Sequence, residues 1–287
     1  MTMLNGGLIR IQESMPSLKP SERKVAEYIL MNPAEVIDLS VQRLAKKTKV
    51  SEATIIRLSR TLSYKGFQEL KLRIAGDLAQ FNYNNHSYQE IPTDGSISSI
   101  ITSISHNNIQ SINDTLSVLS PEQLEKAVSV ISNARKIAVF GIGASAVIAQ
   151  DFKQKLTRVN RWCEAAYDFD TQGTISANLT RKDVAFGISY SGRTKDIIES
   201  LKIAKENGAE TISLTKFGSN PVADLADVNL FTSSLEKSIR SGAMSSRISQ
   251  LNVIDILYIG ITSRHYDESI DALERTRKAV QVSKEKD

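Results

Sequence analysis

Three hydroxyl side chains surround a glycine directly after an apolar run. The glycine is Gly192, and the hydroxyls belong to Ser189, Ser191 and Thr194. The run before them, residues 184–188, is continuously apolar, which is typical of a buried parallel strand, and a helical pattern follows. Hydroxyls and unpaired backbone N–H groups at a helix N-terminus form an anion site, most often for phosphate. We predict that this hydroxyl loop, residues 189–194, binds phosphate; the alternative is that its hydroxyls only cap the helix.

A second glycine loop follows another apolar run. Residues 141–146 read Gly-Ile-Gly-Ala-Ser-Ala, which also fits the G-x-G-x-x-G/A fingerprint of dinucleotide sites, with Glu164 or Asp168 binding the ribose. The hydroxyl loop has no role in a dinucleotide site, whereas a phosphate held between two loops uses both. We therefore expect no cofactor. From this glycine loop, the residues that we place in the shared anion site are Gly143, Ala144 and Ser145. Ser189, Ser191, Gly192 and Thr194 of the hydroxyl loop complete it.

Strands and helices alternate around these loops. The predicted strands are residues 137–141, 161–166, 184–189, 211–215 and 228–232. The predicted helices are residues 144–159, 172–177, 196–207, 221–226 and 245–263. This order predicts an α/β fold, a doubly wound parallel sheet of about five strands. Ligands of such sheets bind outside the carboxyl ends of the strands, where both loops would lie.

Positive charge is concentrated in the first third of the chain. The first 90 residues hold 13 Lys and Arg against 9 Asp and Glu, whereas the remaining residues hold 23 of each. Between Arg43 and Arg73, nine basic residues stand against Glu52 and Glu69 alone. Most basic clusters are solvated faces, but one confined to a small domain is a candidate surface for nucleic acid.

The basic region contains two short helical patterns joined by a short turn. Ser40 precedes the pattern at residues 41–47, and Ser51 precedes a second one that runs to about Leu62. Such a pair predicts a helix-turn-helix whose second helix enters the major groove of double-stranded DNA. The alternative is an ordinary helical bundle with a polar surface.

Particular residues of this region are assigned to DNA. We expect Ser51, Ala53 and Thr54 on the outer face of the second helix, where they would touch base edges or phosphates. Arg57 is our candidate for a base contact. The predicted phosphate contacts are Lys47, Lys49, Arg60 and Lys65.

Residues 81–96 separate the two halves. They are rich in Asn and Ser, contain Pro and Gly, and lack apolar periodicity, so we predict a linker. The linker divides the chain into an all-α domain at residues 1–80 and a sheet domain at residues 97–287. The second domain opens with a long predicted helix that runs from Ile97 to about Leu119.

The composition excludes several classes of protein. The chain has 287 residues and one cysteine, Cys163, so an internal disulfide or a CxxC metal site is excluded and a reducing cytoplasm is expected. No metal site is expected. The sequence shows neither a leader nor an apolar run long enough for a membrane span, nor the G-x-x-x-x-G-K-[ST] motif of P-loop NTPases.

Both halves resemble known families. From about Val128 to Ile261 the chain resembles the sugar isomerase (SIS) domain. The glycine loop, the S-x-S-G-x-T loop and residues 241–247 carry this resemblance. The first 80 residues resemble the helix-turn-helix domain of RpiR-type bacterial transcriptional regulators, notably at residues 20–29 and 65–67. Some details are similar to regulators of amino-sugar use, such as those for muramic acid 6-phosphate.

The resemblance carries expectations about function. It implies a homodimer or homotetramer that binds a palindromic operator and responds to a sugar phosphate, with repression favoured over activation. It implies DNA contact within residues 51–57. The effector contacts that it implies are Gly143, Ser145, Ser189, Ser191 and Thr194.

Two further cations fall near the predicted pocket. Lys216 ends a predicted strand where a cation would face the phosphate, although a solvated lysine is equally compatible with its position. For Arg247 we favour a structural role in the last helix or at a subunit contact.

Phosphosugar isomerase activity is the alternative function. Aldose–ketose interconversion needs a general base, usually Glu or His. The three histidines, His86, His106 and His265, lie away from the pocket loops, whereas Glu236 precedes the last predicted helix and remains a candidate base. The basic N-terminal domain has no use in an enzyme, so we predict binding without turnover and no catalytic residue.

Overall fold

The computed structural model describes residues 6–81, 95–233 and 243–281. Most of the predicted linker, residues 82–94, lies outside the described residues. The chain divides into two compact units, one built mainly from the residues up to Val118 and the other mainly from those after it. The long helix after the linker, which the sequence analysis grouped with the sheet, belongs to the first unit.

The described part of the first unit is helical. Its helices are α1 (Gly7–Ser14), α2 (Pro20–Met31), α3 (Pro33–Val36), α4 (Val41–Thr48), α5 (Glu52–Thr61), α6 (Phe67–Phe81) and α7 (Ile97–Val118), with a 3-10 turn at Met15–Ser17. Pro20 stands at the first position of α2, and the Glu22 carboxylate accepts the Lys19 N–H at 3.2 Å, which closes its first turn. Apolar side chains from six of the helices, α1 to α6, form one core; fully buried members are Ile29, Leu44, Ile55, Leu58, Leu70 and Ile74.

The second unit is an α/β layer structure around a five-stranded sheet. The strands are β1 (Ile137–Gly141), β2 (Cys163–Ala166), β3 (Val184–Ser189), β4 (Glu210–Lys216) and β5 (Val228–Thr232). The helices are α8 (Pro121–Asn133), α9 (Ala144–Arg158), α10 (Phe169–Ala177), α11 (Lys195–Glu206), α12 (Pro221–Leu225), α13 (Met244–Arg264) and α14 (Tyr266–Gln281). All neighbouring strands are parallel, in the order β2-β1-β3-β4-β5. The predicted fold class is confirmed.

Both faces of the sheet are covered, which explains the continuous apolar runs. Every residue of β1 and β3 is buried. Alternate β1 side chains pack into different cores: Val139 packs in the core that includes Ile148 of α9, and Phe140 packs in the core that includes Ile197 of α11. The crossovers after β1 and β3 therefore lie on opposite faces, so the strand order reverses between these two strands.

Arg135 and Asp183 join the amino ends of β1 and β3. The fully buried Asp183 carboxylate accepts hydrogen bonds from Arg135 Nε at 2.9 Å and Nη2 at 2.7 Å. It also accepts the N–H and the hydroxyl of Thr180, both at 2.8 Å. These hydrogen bonds, with that of Arg135 largest, lower the pKa of Asp183 to about 2.

Some elements differ from the prediction. Helix α10 begins at Phe169 rather than at residue 172, because Asp168 caps it by accepting the Thr171 N–H at 2.9 Å. This bond holds the pKa of Asp168 below its usual value and engages one of the two carboxylates, Glu164 and Asp168, that the dinucleotide alternative offered for a ribose. Helices α1, α3 and α14 were not predicted. Among the residues that the structure describes, no helix has the length and apolar character needed to cross a bilayer.

Candidate functional site

A cleft opens between the carboxyl ends of β1 and β3, where the strand order reverses. Ligands of doubly wound sheets bind at such a switch point. The cavity has a volume of about 70 Å³, several times the roughly 10–15 Å³ that one water needs. Its described lining comes from the two predicted loops and from α13: Ile142, Ala144, Ser145, Tyr190, Ser191, Thr194, Ala243, Ser246 and Gln250.

The hydroxyl loop contributes two of its three hydroxyls to the lining. Ser191 and Thr194 line the cleft, whereas Ser189 is buried and its Oγ lies 2.9 Å from Thr194 Oγ1. Thr194 stands at the N-cap of α11, but its side chain makes no capping hydrogen bond. The helix-capping alternative therefore does not account for this hydroxyl. The missing cap favours a ligand as the partner of the first-turn N–H groups of α11.

Gly192 gives the hydroxyl loop its shape. Its φ is +64°, which side chains rarely allow, and a Cβ there would lie 2.0 Å from Asn220 Oδ1. Asn220 is buried, accepts the Ala223 N–H at 2.9 Å, and donates to Thr215 Oγ1 at 3.1 Å. The close approach of Gly192 to this anchored amide requires a glycine.

The glycine loop brings a second helix N-terminus to the cleft. Gly143 caps α9 with a φ of 60° and no side-chain hydrogen bond, and apart from its chain neighbours no described residue has an atom within 4 Å of the position a Cβ would take. Ala144 and Ser145, which follow it, line the cleft, with Ser145 8 % exposed. Helix α13 also begins there, with Ala243 at its N-cap, so three helices begin at the cleft without a side-chain cap, and each carries the positive end of its dipole there.

The described lining is uncharged, with no Lys, Arg, His, Asp or Glu among its residues. Lys216 ends β4, and its backbone N–H donates to the Tyr190 carbonyl at 2.9 Å, but it is not among the lining residues that the structure describes. Among the described lining, the positive potential available to an anion therefore comes from the N-termini of α9, α11 and α13. His86, Glu236 and residues 241–242 of the segment used for the resemblance lie outside the described residues.

Helix α13 supplies lining residues that sequence analysis missed. Ser246 and Gln250 lie one helical turn apart and are both 2 % exposed. Ser246 belongs to residues 241–247, which the sequence analysis used only for the resemblance, and Gln250 follows that segment. Their spacing of four residues was the available signal, but the sequence alone did not give the direction in which this face of the helix points.

The helix-turn-helix begins as the sequence predicts. Ser40 accepts the Arg43 N–H at 3.2 Å to begin α4, and Ser51 accepts the Thr54 N–H at 3.3 Å to begin α5. Three residues connect the two helices, and the first, Lys49, is left-handed with a φ of 54°. The expectation that Thr54 lies on the outer face is wrong: it is 6 % exposed, and its hydroxyl lies 3.0 Å from Ser51 Oγ.

Two of the predicted DNA contacts have partners within the first unit. Arg57 Nε donates to Glu22 Oε1 at 2.8 Å, and Glu22 is nearly fully buried. Lys47 pairs with Glu35 at 2.6 Å, and the Tyr28 hydroxyl donates to the same carboxylate at 2.6 Å. Arg57 therefore neutralises a buried charge, a role that depends on a contact 35 residues away in the sequence.

The remaining predicted DNA contacts are exposed. The structure also exposes 38 % of Ile56, an apolar residue of α5 that the sequence analysis did not assign. An exposed apolar side chain on a reading helix suits a thymine methyl group. The exposed members of the predicted set are Lys49, Ser51, Ala53, Arg60 and Lys65.

Comparison with known families covers both halves of the chain. Residues 5–81 match the helix-turn-helix domain of the rpiR family, and residues 130–260 match the SIS domain. The chain is 47 % identical over 280 residues to an HTH-type transcriptional regulator of Caldanaerobacter subterraneus subsp. tengcongensis, covering 96 % of each chain. It is 40 % identical over 280 residues to the HTH-type transcriptional regulator YbbH of Bacillus subtilis, covering 97 % of this chain and 98 % of the relative.

One solved structure is similar to this chain over nearly its full length. The Vibrio vulnificus NanR protein complexed with ManNAc-6P is 26 % identical, with a TM-score of 0.60 over 96 % of this chain and 97 % of NanR. Three observations indicate the same family: the helix-turn-helix geometry, the doubly wound SIS fold, and the similarity to HTH-type transcriptional regulators over nearly the full length. The chain belongs to the RpiR family of HTH-type transcriptional regulators.

Proposed function

We propose that a sugar phosphate binds in the cleft between β1 and β3 and thereby changes the affinity of the helix-turn-helix for its operator. One observation carries the proposal: an uncharged, polar cleft lies at the N-termini of α9 and α11, and neither helix has a side-chain cap. Such a site suits a phosphate group. The direction that we favour is repression relieved by the ligand.

The effector that we propose is an amino-sugar 6-phosphate. The support is the complex of Vibrio vulnificus NanR with ManNAc-6P, since that regulator is similar to this chain over nearly its full length. In this proposal the phosphate contacts are Gly143, Ala144, Ser145, Ser191, Gly192 and Thr194, and Lys216 contributes from the end of β4. Ser189 acts through its hydrogen bond with the Thr194 hydroxyl. A homodimer or homotetramer would present two helix-turn-helix units to a palindromic operator.

We further propose that the site binds its ligand without turnover. The described lining holds no Asp, Glu or His, and the base for proton transfer between aldose and ketose is usually Glu or His. Isomerase activity is the second candidate, favoured only by the isomerase-type fold. A base outside the described lining would be required for it.

A ligand screen tests the proposed function. Hexose, amino-sugar and pentose phosphates are added separately, and the unfolding temperature is recorded, because a ligand that binds the native state raises it by mass action. We expect an amino-sugar 6-phosphate to give the largest increase and to be recovered unchanged after incubation. An unaltered unfolding temperature with every compound would contradict the proposed site, and conversion of the compound would favour the isomerase.

Replacing Lys49 should weaken binding to all DNA sequences alike. Lys49→Asn removes one phosphate contact while keeping a residue that tolerates the left-handed backbone at this position. We expect the slope of log K against log salt to fall by about 1. Anisotropy titrations across a salt series measure it. The exposed Lys182→Asn in the second unit carries the same charge change and should leave the slope unaltered; an equal effect of both variants would place Lys49 away from the DNA.

Replacing Arg57 should affect both stability and sequence reading. Arg57→Ala leaves the buried Glu22 carboxylate without its charged partner, which should lower the free energy of unfolding by about 1–3 kcal/mol. It should also relax discrimination at one base pair by about 1–3 kcal/mol. Adding Glu22→Gln removes the buried charge and should restore stability but not discrimination. If the double variant discriminates operator mutants as the wild type does, Arg57 is structural only.

A further inference from the structure

Gln250 is a buried amide that faces the cleft without a partner. Its side chain is 2 % exposed and lines the cavity. Its Nε2 is buried and makes no hydrogen bond to any residue that the structure describes. Buried polar groups in proteins are nearly always hydrogen-bonded, and an exception requires an explanation, such as a catalytic role or a water or ion that completes the site. The structure thus places a hydrogen-bond donor at the cleft, where a molecule that enters it can accept the bond.

The position and chemistry of this amide point to the sugar half of a ligand. Gln250 is the seventh residue of α13, beyond the first turn, so it offers its side chain there rather than an unpaired N–H group. The charge of a phosphate is met by the helix N-termini at the cleft, those of α9, α11 and α13. A neutral amide matches a neutral oxygen, such as that of a hydroxyl, a sugar ring or an N-acetyl group.

We propose that Gln250 Nε2 donates a hydrogen bond to an oxygen of the sugar portion of the effector and so determines which sugar phosphate is accepted. This inference rests on the proposed function, because it requires the phosphate of the same molecule to occupy the two loops. Sites that pair a buried polar group with a substrate oxygen reject analogues that lack the oxygen, since the protein group is then left unpaired.

The test compares two variants of full-length protein. Gln250→Met removes the donor at nearly constant shape. Asn252→Leu is the matched control: Asn252 Nδ2 is likewise buried without a partner among the described residues, on the same helix, but Asn252 does not line the cleft. Each protein is titrated with inorganic phosphate, ManNAc-6P, glucosamine 6-phosphate and glucose 6-phosphate.

We expect Gln250→Met to weaken the best-binding sugar phosphate of the wild type about 10-fold and to reduce its preference over the other two. Binding of inorganic phosphate should stay within about twofold of the wild type, and Asn252→Leu should bind all four compounds normally. Without ligand, Gln250→Met should unfold at the wild-type temperature or above it, because an apolar side chain replaces an unpaired buried amide.

Three results overturn the inference alone: unchanged sugar-phosphate binding in Gln250→Met, an equal loss for inorganic phosphate, or an equal loss in Asn252→Leu. A lower unfolding temperature of unliganded Gln250→Met also overturns it, since the amide would then have a structural partner. A wild-type protein that binds none of the four compounds overturns the proposed function and this inference together.

Discussion

The double variant Ser191→Ala/Thr194→Val should bind the sugar phosphate about 100-fold more weakly than the wild type and still bind operator DNA. Both hydroxyls line the cleft, and that of Thr194 does not cap α11. A hydrogen bond to a charged group contributes about 1.5–3 kcal/mol, so losing two removes at least about 3 kcal/mol of binding free energy. Isothermal titration measures the ligand affinity, and gel shifts measure operator binding.

Two comparisons sharpen this prediction. Ser189→Ala should have a smaller effect, because the Ser189 hydroxyl reaches Thr194 rather than the cleft. Thr157→Val makes the same chemical change on an exposed residue of α9 and should leave ligand binding unaltered. A double variant that responds to the sugar phosphate at the wild-type concentration would refute the assignment of the phosphate to the hydroxyl loop.

Arg135→Ala should lower the free energy of unfolding of the second unit by about 2 kcal/mol at pH 7. The variant deprives the buried Asp183 carboxylate of two charge-assisted hydrogen bonds. Each is worth about 1.5–3 kcal/mol when buried, but Arg135 is half exposed, so solvent screens the pair and reduces the total. Urea unfolding followed by circular dichroism measures the loss, with the exposed Arg181→Ala as a control that should change little.

The same pair should make stability depend on acid pH. The Arg135 hydrogen bond lowers the pKa of Asp183 in the folded protein to about 2, from 3.8 in a free side chain. Unfolded chains therefore bind more protons than folded ones between these two pKa values. The contribution of the pair to the free energy of unfolding is thus present above about pH 4 and is lost as the pH falls towards 2. Unfolding at pH 4 and pH 2.5 should show a smaller acid loss in Arg135→Ala than in the wild type. An equal loss in both proteins would contradict the role of the pair.

The sheet and its two loops could be predicted because their signals are local. A parallel strand covered on both faces reads as a continuous apolar run, and residues 184–189 were assigned with the bounds that β3 has. Glycine and hydroxyl residues directly after such a run identify the loop from neighbouring positions alone. The caps at Ser40 and Ser51 are local in the same sense, since each accepts an N–H three residues ahead.

Other features depend on contacts between distant segments, which a single sequence does not specify. Arg57 stands on α5 at a position that suits base reading, but its partner Glu22 belongs to α2. Thr54 looks polar and outward, yet the cap at Ser51 holds its hydroxyl in a buried position. Gln250 reaches the cleft only because α13 packs with that face towards the loops. Helix α14 buries the small residues Ser269 and Ala272 and leaves Ile270 exposed, so its large apolar residues do not mark its buried face.

Reciprocal linkage tests the central claim most directly. Operator affinity is measured by anisotropy with and without saturating sugar phosphate, and sugar-phosphate affinity is measured with and without saturating operator. If one equilibrium couples the cleft to the helix-turn-helix, the two ratios must be equal, and we predict a common factor of about 5–150. An operator affinity that stays the same at saturating sugar phosphate would contradict the account.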